Sequence, residues 1–330
     1  MSGSGLTIWC NAELPPEARR MLIEGADGQR LIFAVERDVL PGGDSAAAAK
    51  ETDTLAEADV AFGQPDPEQV MRCANVRWVH LTSASYTAYD RDDFRASLRQ
   101  RNGALTNSSA VYDEPCAQHV LAMILALARQ LPAALDAQRT TRDWAQEEIR
   151  KRSTLLGGQT ALILGYGRIA RRLSELLLPL RLELIGVRRQ VRGDEPIRVV
   201  TEREVSAILP LADHIINILP ASDGTRDFLD AERLGIAKPG AILYNIGRGT
   251  TVNQDALIGA LQSGRLSAAY LDVTDPEPLP PDHPLWSAPN CYITPHTAGG
   301  HTVEFERLVR HFLNNLRRYA AGDALIDRII

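Results

Sequence analysis

The alternation of short apolar runs with amphipathic stretches predicts an α/β chain. Leu6–Trp9 reads as a first strand, and Pro15–Leu22 carries a helical pattern. Strands are predicted at Leu31–Val35, Asp59–Phe62 and Arg77–Leu81, with a proline-rich turn at Gln64–Pro67. The last strand runs into the polar Thr82–Thr87. Glu114–Leu131 is apolar almost all round, which marks a buried helix. A charged segment, Arg139–Arg152, precedes a second series that opens with the continuous apolar run Thr160–Leu164. Such a run suits a strand covered on both faces. Ile169, Leu173, Leu176, Leu177 and Leu180 then lie on one helical face. Further strands are predicted at Leu182–Val187, Ile215–Leu219, Ala241–Asn245 and Ala268–Val273, and a closing helix over Thr302–Ala321.

Strands alternating with helices predict parallel sheets flanked by helices, arranged as two Rossmann-like domains. The length of 330 residues suits two domains of ordinary size. The polar Thr106–Ser109 marks a crossing, so residues 1–109 with 297–330 form one expected domain and residues 110–296 the other. A formal charge of -6 argues against nonspecific nucleic-acid binding. The longest apolar run, Val120–Ala128, falls short of the roughly 20 residues of a spanning helix, so no membrane role is expected. Cys10, Cys73, Cys116 and Cys291 are scattered and form no metal-ligand spacing. With no basic and apolar leader at the N-terminus, they read as reduced thiols of a cytoplasmic protein that holds no metal.

Gly165-Tyr166-Gly167-Arg168-Ile169-Ala170 follows an apolar strand and opens an amphipathic helix, the context of a dinucleotide fingerprint. Gly165 permits the turn, Gly167 admits a pyrophosphate, and Ala170 lets helix and strand pack closely. Arg168 is positioned to touch the pyrophosphate. An NAD site carries an acidic residue at the end of the next strand, but here the strand ends in Arg188 and Arg189. A guanidinium suits a ribose 2′-phosphate and offers no acceptor to ribose hydroxyls, so NADP(H) is expected in preference to NAD(H). Downstream stand Arg248, Glu277 and His296 in that order. A cation to grip a carboxylate, an imidazole to protonate a carbonyl oxygen and a carboxylate to orient the imidazole are the parts of a 2-keto acid reductase.

These stretches, with Ala117–Ala122, Ile218–Pro220, Lys238–Gly249, Leu271–Val273, Pro276–Pro278, Pro284–Trp286 and Thr294–His296, resemble the D-isomer-specific 2-hydroxyacid dehydrogenases. The likeness is greatest to the branch that reduces glyoxylate and hydroxypyruvate with NADPH. The resemblance implies a substrate domain, a nucleotide-binding domain that also dimerises, and an active site in the cleft between them. It implies Arg248, Glu277 and His296 as the catalytic residues. It adds cofactor contacts at Leu219, Pro220, Ile246, Gly247 and Asp272, with Thr225 and Asn217 weaker candidates. A substrate-carboxylate loop falls at Ala84, Ser85 and Tyr86, where Ser85 replaces a common glycine. Gln118 replaces a frequent glutamate. The expected partner is a small 2-keto or 2-hydroxy acid, and the expected product has D stereochemistry. Alternatives are the same fold acting on phosphoglycerate or an aromatic 2-keto acid, a formate or phosphite dehydrogenase, and a dinucleotide-sensing protein without turnover. The Glu277–His296 combination argues against formate, whose enzymes pair glutamine with histidine.

Overall fold

The computed structural model describes residues 5–34 and 54–330, so Val35, the last residue of one predicted strand, lies outside the described residues. The chain divides into two units, Met1–Tyr112 with His301–Ile330, and Asp113–Gly300. Both are parallel α/β structures.

The first unit holds β1 (Thr7–Cys10), β2 (Arg30–Phe33), β3 (Val60–Gly63), β4 (Trp78–Leu81) and β5 (Ala104–Thr106). They pair in the order β2-β1-β3-β4-β5, and every pairing is parallel. Helices α1 (Pro16–Gly25), α2 (Pro67–Arg72) and α3 (Asp92–Gln100) connect them. Asp66 caps α2 by accepting from Glu68 N and Gln69 N, which satisfies amides that have no partner in a first helical turn. The C-terminal helix Glu304–Ala321 returns to this unit. Its Val309, Phe312 and Leu316 join Ile8, Phe62 and Trp78 in one core. Phe312 stacks between Phe62 at 4.3 Å and Trp78 at 5.3 Å. The opposite face of the sheet buries Trp9, Val79, Leu81, Phe94 and Leu98.

Helix α4 (Ser109–Ala128) starts five residues before the apolar pattern does, and accommodates Pro115. It stops at Gln130, whose φ of 57° is left-handed, and α5 (Leu131–Arg139) leaves in a new direction. The charged segment contains α6 (Gln146–Arg152), a single short helix with acidic residues in its first turn and basic residues in its last, as the helix dipole favours.

The second unit contains β6 (Thr160–Leu164), β7 (Glu183–Val187), β8 (Arg198–Val200), β9 (His214–Asn217), β10 (Ala241–Asn245), β11 (Leu266–Leu271) and β12 (Cys291–Ile293). The sheet order is β12-β11-β10-β9-β6-β7-β8. The order reverses between β6 and β9, and open α/β sheets gather ligands beyond the strand ends at such a switch point. Helix α7 (Arg168–Leu177) follows β6 and buries Ala170, Leu173 and Leu177. Strands β6, β9 and β10 are buried nearly throughout, which explains their unbroken apolar sequences.

Candidate active site

The glycine turn sits where the sheet order reverses. Gly165 has φ 92°, and a side chain there would come within 2.8 Å of Ile218 O. Glycine is therefore required both for its backbone conformation and for the close approach of the loop after β9. A Cβ at Gly167 would meet nothing within 4 Å, so the backbone faces open space where a ligand has access. Gly167 caps α7 with no side-chain hydrogen bond, which leaves the first-turn amides directed outward. Open glycine backbone and free amides at a helix N-terminus fit a dinucleotide pyrophosphate.

Tyr166 does not present its ring to that space. It is 5% exposed and packs on Gly186 of β7, where any Cβ would lie 2.6 Å from the ring. Its N–H is tied to Val187 O at 2.7 Å, so only its carbonyl remains for a cofactor. Arg168 lies 3.7 Å from Asp113 in an ion pair. Ile169 is half-buried. At the end of β7, the Arg188 guanidinium donates to Glu195 at 2.9 Å, whereas Arg189 is exposed.

Arg248 is held by its backbone. Its carbonyl accepts from Asn245 Nδ2 at 3.1 Å and Thr251 Oγ1 at 2.6 Å. Asn217 Nδ2 ties both groups together, donating to Asn245 Oδ1 at 2.9 Å and Thr251 Oγ1 at 2.6 Å. Asn217, Asn245 and Thr251 are buried, so this network rigidifies the loop. Asn217 thus serves the arginine loop. Gly247 and buried Ile246 lie against the loop after β9, and a Cβ on Gly247 would sit 2.6 Å from Leu219 O. Leu219 packs on the core of the unit and Pro220 is exposed. The Thr225 hydroxyl is spent within its own turn, donating to Pro220 O at 2.6 Å.

Gly249 joins the arginine loop to the glutamate loop. A Cβ at Gly249 would lie 1.9 Å from Thr274 O. Glu277 Oε1 accepts from Thr274 N at 3.0 Å, and its Oε2 meets His296 Nδ1 at 2.7 Å. Since the carboxylate accepts, Nδ1 carries the hydrogen and Nε2 is left for other chemistry. The two side chains are 38% and 52% exposed, so the pair is accessible.

His296 has φ 52°, a left-handed conformation unusual outside glycine. Asp272 imposes it. Its carbonyl accepts His296 N at 2.9 Å, and its carboxylate accepts Thr297 N and Ala298 N, each at 2.9 Å, and Thr294 Oγ1 at 2.5 Å. Asp272 is 2% exposed, and the loop occupies its carboxylate in place of the expected cofactor contact. Behind it, His119 on α4 and Tyr270 on β11 extend the hydrogen-bonded chain through Thr294. Burial pushes the His119 ring down despite Asp272 nearby, and Tyr270 up to about 12.

The predicted substrate loop belongs to the other unit. Its shape is fixed by Ser83 Oγ donating to Ser85 O at 2.5 Å and by Asn107 Nδ2 donating to Ala84 O at 2.6 Å. The amides of Ala84 and Ser85 donate to none of the described residues and remain open to an anion. Tyr86 packs against the core of that unit. Among the described residues, no group of three His, Cys, Asp or Glu side chains is placed to hold a metal.

A parallel sheet with the strand order of the second unit, opened by a glycine turn at its switch point, defines a dinucleotide-binding domain. The family model for the D-isomer specific 2-hydroxyacid dehydrogenase, NAD binding domain, matches residues 121–298, and the chain belongs to that family. It is thus an NAD(P)-dependent D-2-hydroxyacid dehydrogenase with a nicotinamide dinucleotide cofactor. A glyoxylate reductase of Aeropyrum pernix is 33% identical over 66% of this chain and 67% of that one. A glyoxylate/hydroxypyruvate reductase B of Citrobacter koseri is 32% identical over 66% of this chain and 68% of its own. The crystal structure of a D-isomer specific 2-hydroxyacid dehydrogenase family protein from Aeromonas salmonicida subsp. salmonicida A449 covers 99% of both chains, with 28% identity and a TM-score of 0.76.

Proposed function

We propose that the protein reduces a small 2-keto acid of the glyoxylate or hydroxypyruvate kind to the D-2-hydroxy acid, and that NADPH is its preferred reductant. The observation that carries the reaction is the His296–Glu277 hydrogen bond of 2.7 Å, anchored on the same unit as Arg248 and the glycine turn. When bound, the reduced dinucleotide supplies the hydride to the carbonyl carbon. Arg248 pairs with the substrate carboxylate and polarises the carbonyl. His296 delivers the proton on Nε2 to the forming alkoxide, while Glu277 keeps the ring oriented and supports its positive charge. The reductase names of two relatives support the choice of small acids. The NADPH preference rests on the arginines that follow β7, where the acidic residue of an NAD site is absent.

The test is cofactor oxidation against glyoxylate, hydroxypyruvate, pyruvate and phenylpyruvate with NADPH and NADH in parallel. Turnover of the small acids with a lower KM for NADPH is expected. A KM for NADH well below that for NADPH would overturn the cofactor preference. Cofactor binding without turnover on any acid would return the protein to a sensing role.

A homodimer formed by the dinucleotide-binding unit and a cytoplasmic location complete the proposal. Leu131, Leu135, Trp144 and Leu155 on that unit are exposed, Trp144 at 88%, and are apolar side chains that a second copy would cover. Sedimentation equilibrium at a monomer mass would rule the dimer out, and cell fractionation tests the location.

A further inference from the structure

The turn between β7 and β8 is built round a carboxylate. Glu195 has a side chain only 3% exposed, although Arg192, Gly193, Asp194 and Pro196 around it are exposed. Its Oε1 accepts from Arg192 N and from Arg188 Nη1, both at 2.9 Å, and its Oε2 accepts from Gly193 N at 2.8 Å. The Arg192 amide first, then the Gly193 amide and the Arg188 guanidinium, hold this carboxyl down at about 2. Arg188 is itself only 22% exposed, and its backbone N–H is tied to Val200 O at 3.1 Å. Arg189 and Arg192 differ, because both are exposed and neither has an acidic partner among the described residues. Of the three guanidinium groups after β7, one is therefore neutralised from within and two are not.

We propose that Glu195 is a specificity-determining residue that acts through Arg188, withdrawing it from the free cations so that Arg189 and Arg192 receive the second phosphate of a 2′-phosphorylated adenosine. The inference rests on the NADP(H) reading above. An approaching dianion is attracted by Arg188 and repelled by the carboxylate bonded to it, and at similar distances the two largely cancel. Turning Arg188 away from Glu195 would leave a shielded carboxylate with two amides alone, which is costly. Arg189 and Arg192 have no such partner to leave. Arg188 becomes a positioning residue, and Glu195 a built-in competitor for the ligand phosphate.

The test is calorimetric binding of 2′,5′-ADP and of 5′-AMP to the full-length protein at low ionic strength, where charge effects are least screened. The wild type is expected to prefer 2′,5′-ADP. R189Q should lose about tenfold in 2′,5′-ADP affinity with 5′-AMP unchanged, the effect of about one charge-assisted bond. R188Q leaves the Glu195 carboxylate without its counter-charge and E195Q releases Arg188, so the first should lose and the second gain affinity by about the same factor, about threefold. R188Q/E195Q removes both charges and should restore the wild-type preference. A loss in R188Q equal to that in R189Q would overturn the proposal. So would an unchanged or reduced preference in E195Q, unless both nucleotides weaken alike. In that event the turn has lost its shape and the double variant decides. Its wild-type preference supports the proposal, and loss of preference refutes it. Equal wild-type affinity for the two nucleotides, or binding of neither, is the separate failure of the NADP(H) reading.

Discussion

His296 meets Glu277 through a 2.7 Å hydrogen bond to one carboxylate oxygen, while the other oxygen is occupied by the Thr274 amide at 3.0 Å. Glu277 is therefore fixed before it orients the ring, and the ring nitrogen left for substrate is Nε2. His296→Ala should lower kcat by about 10²–10⁴-fold, the usual contribution of a general acid. Glu277→Gln keeps the size but removes the charge that supports the protonated ring, and a loss of at least about tenfold in kcat is expected. Fluorescence titration should give nearly unchanged NADPH affinity in both. Near wild-type turnover of His296→Ala would remove this residue from the mechanism.

Gly249 determines whether the arginine and glutamate loops share one frame. A Cβ there would overlap Thr274 O at 1.9 Å, and the obstacle is backbone, which cannot rotate aside. Gly249→Ala should destabilise the protein by about 1–3 kcal/mol or more through forced displacement, with loss of turnover exceeding the loss of cofactor affinity. A denaturant midpoint equal to wild type would show that the two loops move independently.

Asp272 holds His296 in a left-handed conformation that costs on the order of 1–2 kcal/mol for an L-residue. Asparagine cannot replace it, because one carboxylate accepts from Thr294, Thr297 and Ala298. In either orientation an amide NH₂ would face a backbone N–H, that of Thr297 or that of Ala298. Asp272→Asn should cost about 1–3 kcal/mol in stability for the donors left unmatched, and kcat should fall by at least about tenfold. Loss of stability with wild-type kcat in Asp272→Asn would separate the two roles.

The fold and the candidate trio of Arg248, Glu277 and His296 were legible because their signals are local. The glycine turn, the apolar strands and the segments around Arg248, Glu277 and His296 each occupy a few consecutive residues. Strands β5, β8 and β12 were not legible, because three residues carry no periodicity. The Arg188 partner was hidden for another reason. Glu195 is seven residues away and becomes a counter-ion only because the turn folds its amides onto it. The sequence resemblance marks Asp272 as a cofactor contact, whereas its anchoring role depends on bonds to residues 22–26 positions onward. A side chain's type suggests chemistry, whereas the assignment of its hydrogen bonds is a property of the folded loop.

His214 gives the stability of the dinucleotide-binding unit a definite pH dependence. The ring lies buried at the start of β9, with Nε2 on Gln159 Oε1 at 2.7 Å and Nδ1 on Tyr244 Oη at 3.2 Å. Gln159 offers an acceptor, so Nε2 carries the hydrogen and neutral Nδ1 accepts from tyrosine. Desolvation lowers its pKa from 6.5 to about 4, against the opposing effect of Asp213. A lowered histidine favours the neutral form in the folded state, so the unfolded chain binds more protons between these two values. Stability from this group is then complete above about pH 6.5 and is lost as pH falls toward 4, on the order of 3 kcal/mol in all. His214→Gln should be less stable at pH 7.5 and show a shallower decline between pH 6.5 and 4 in thermal melts. Parallel declines in the two proteins would assign the acid sensitivity to other groups.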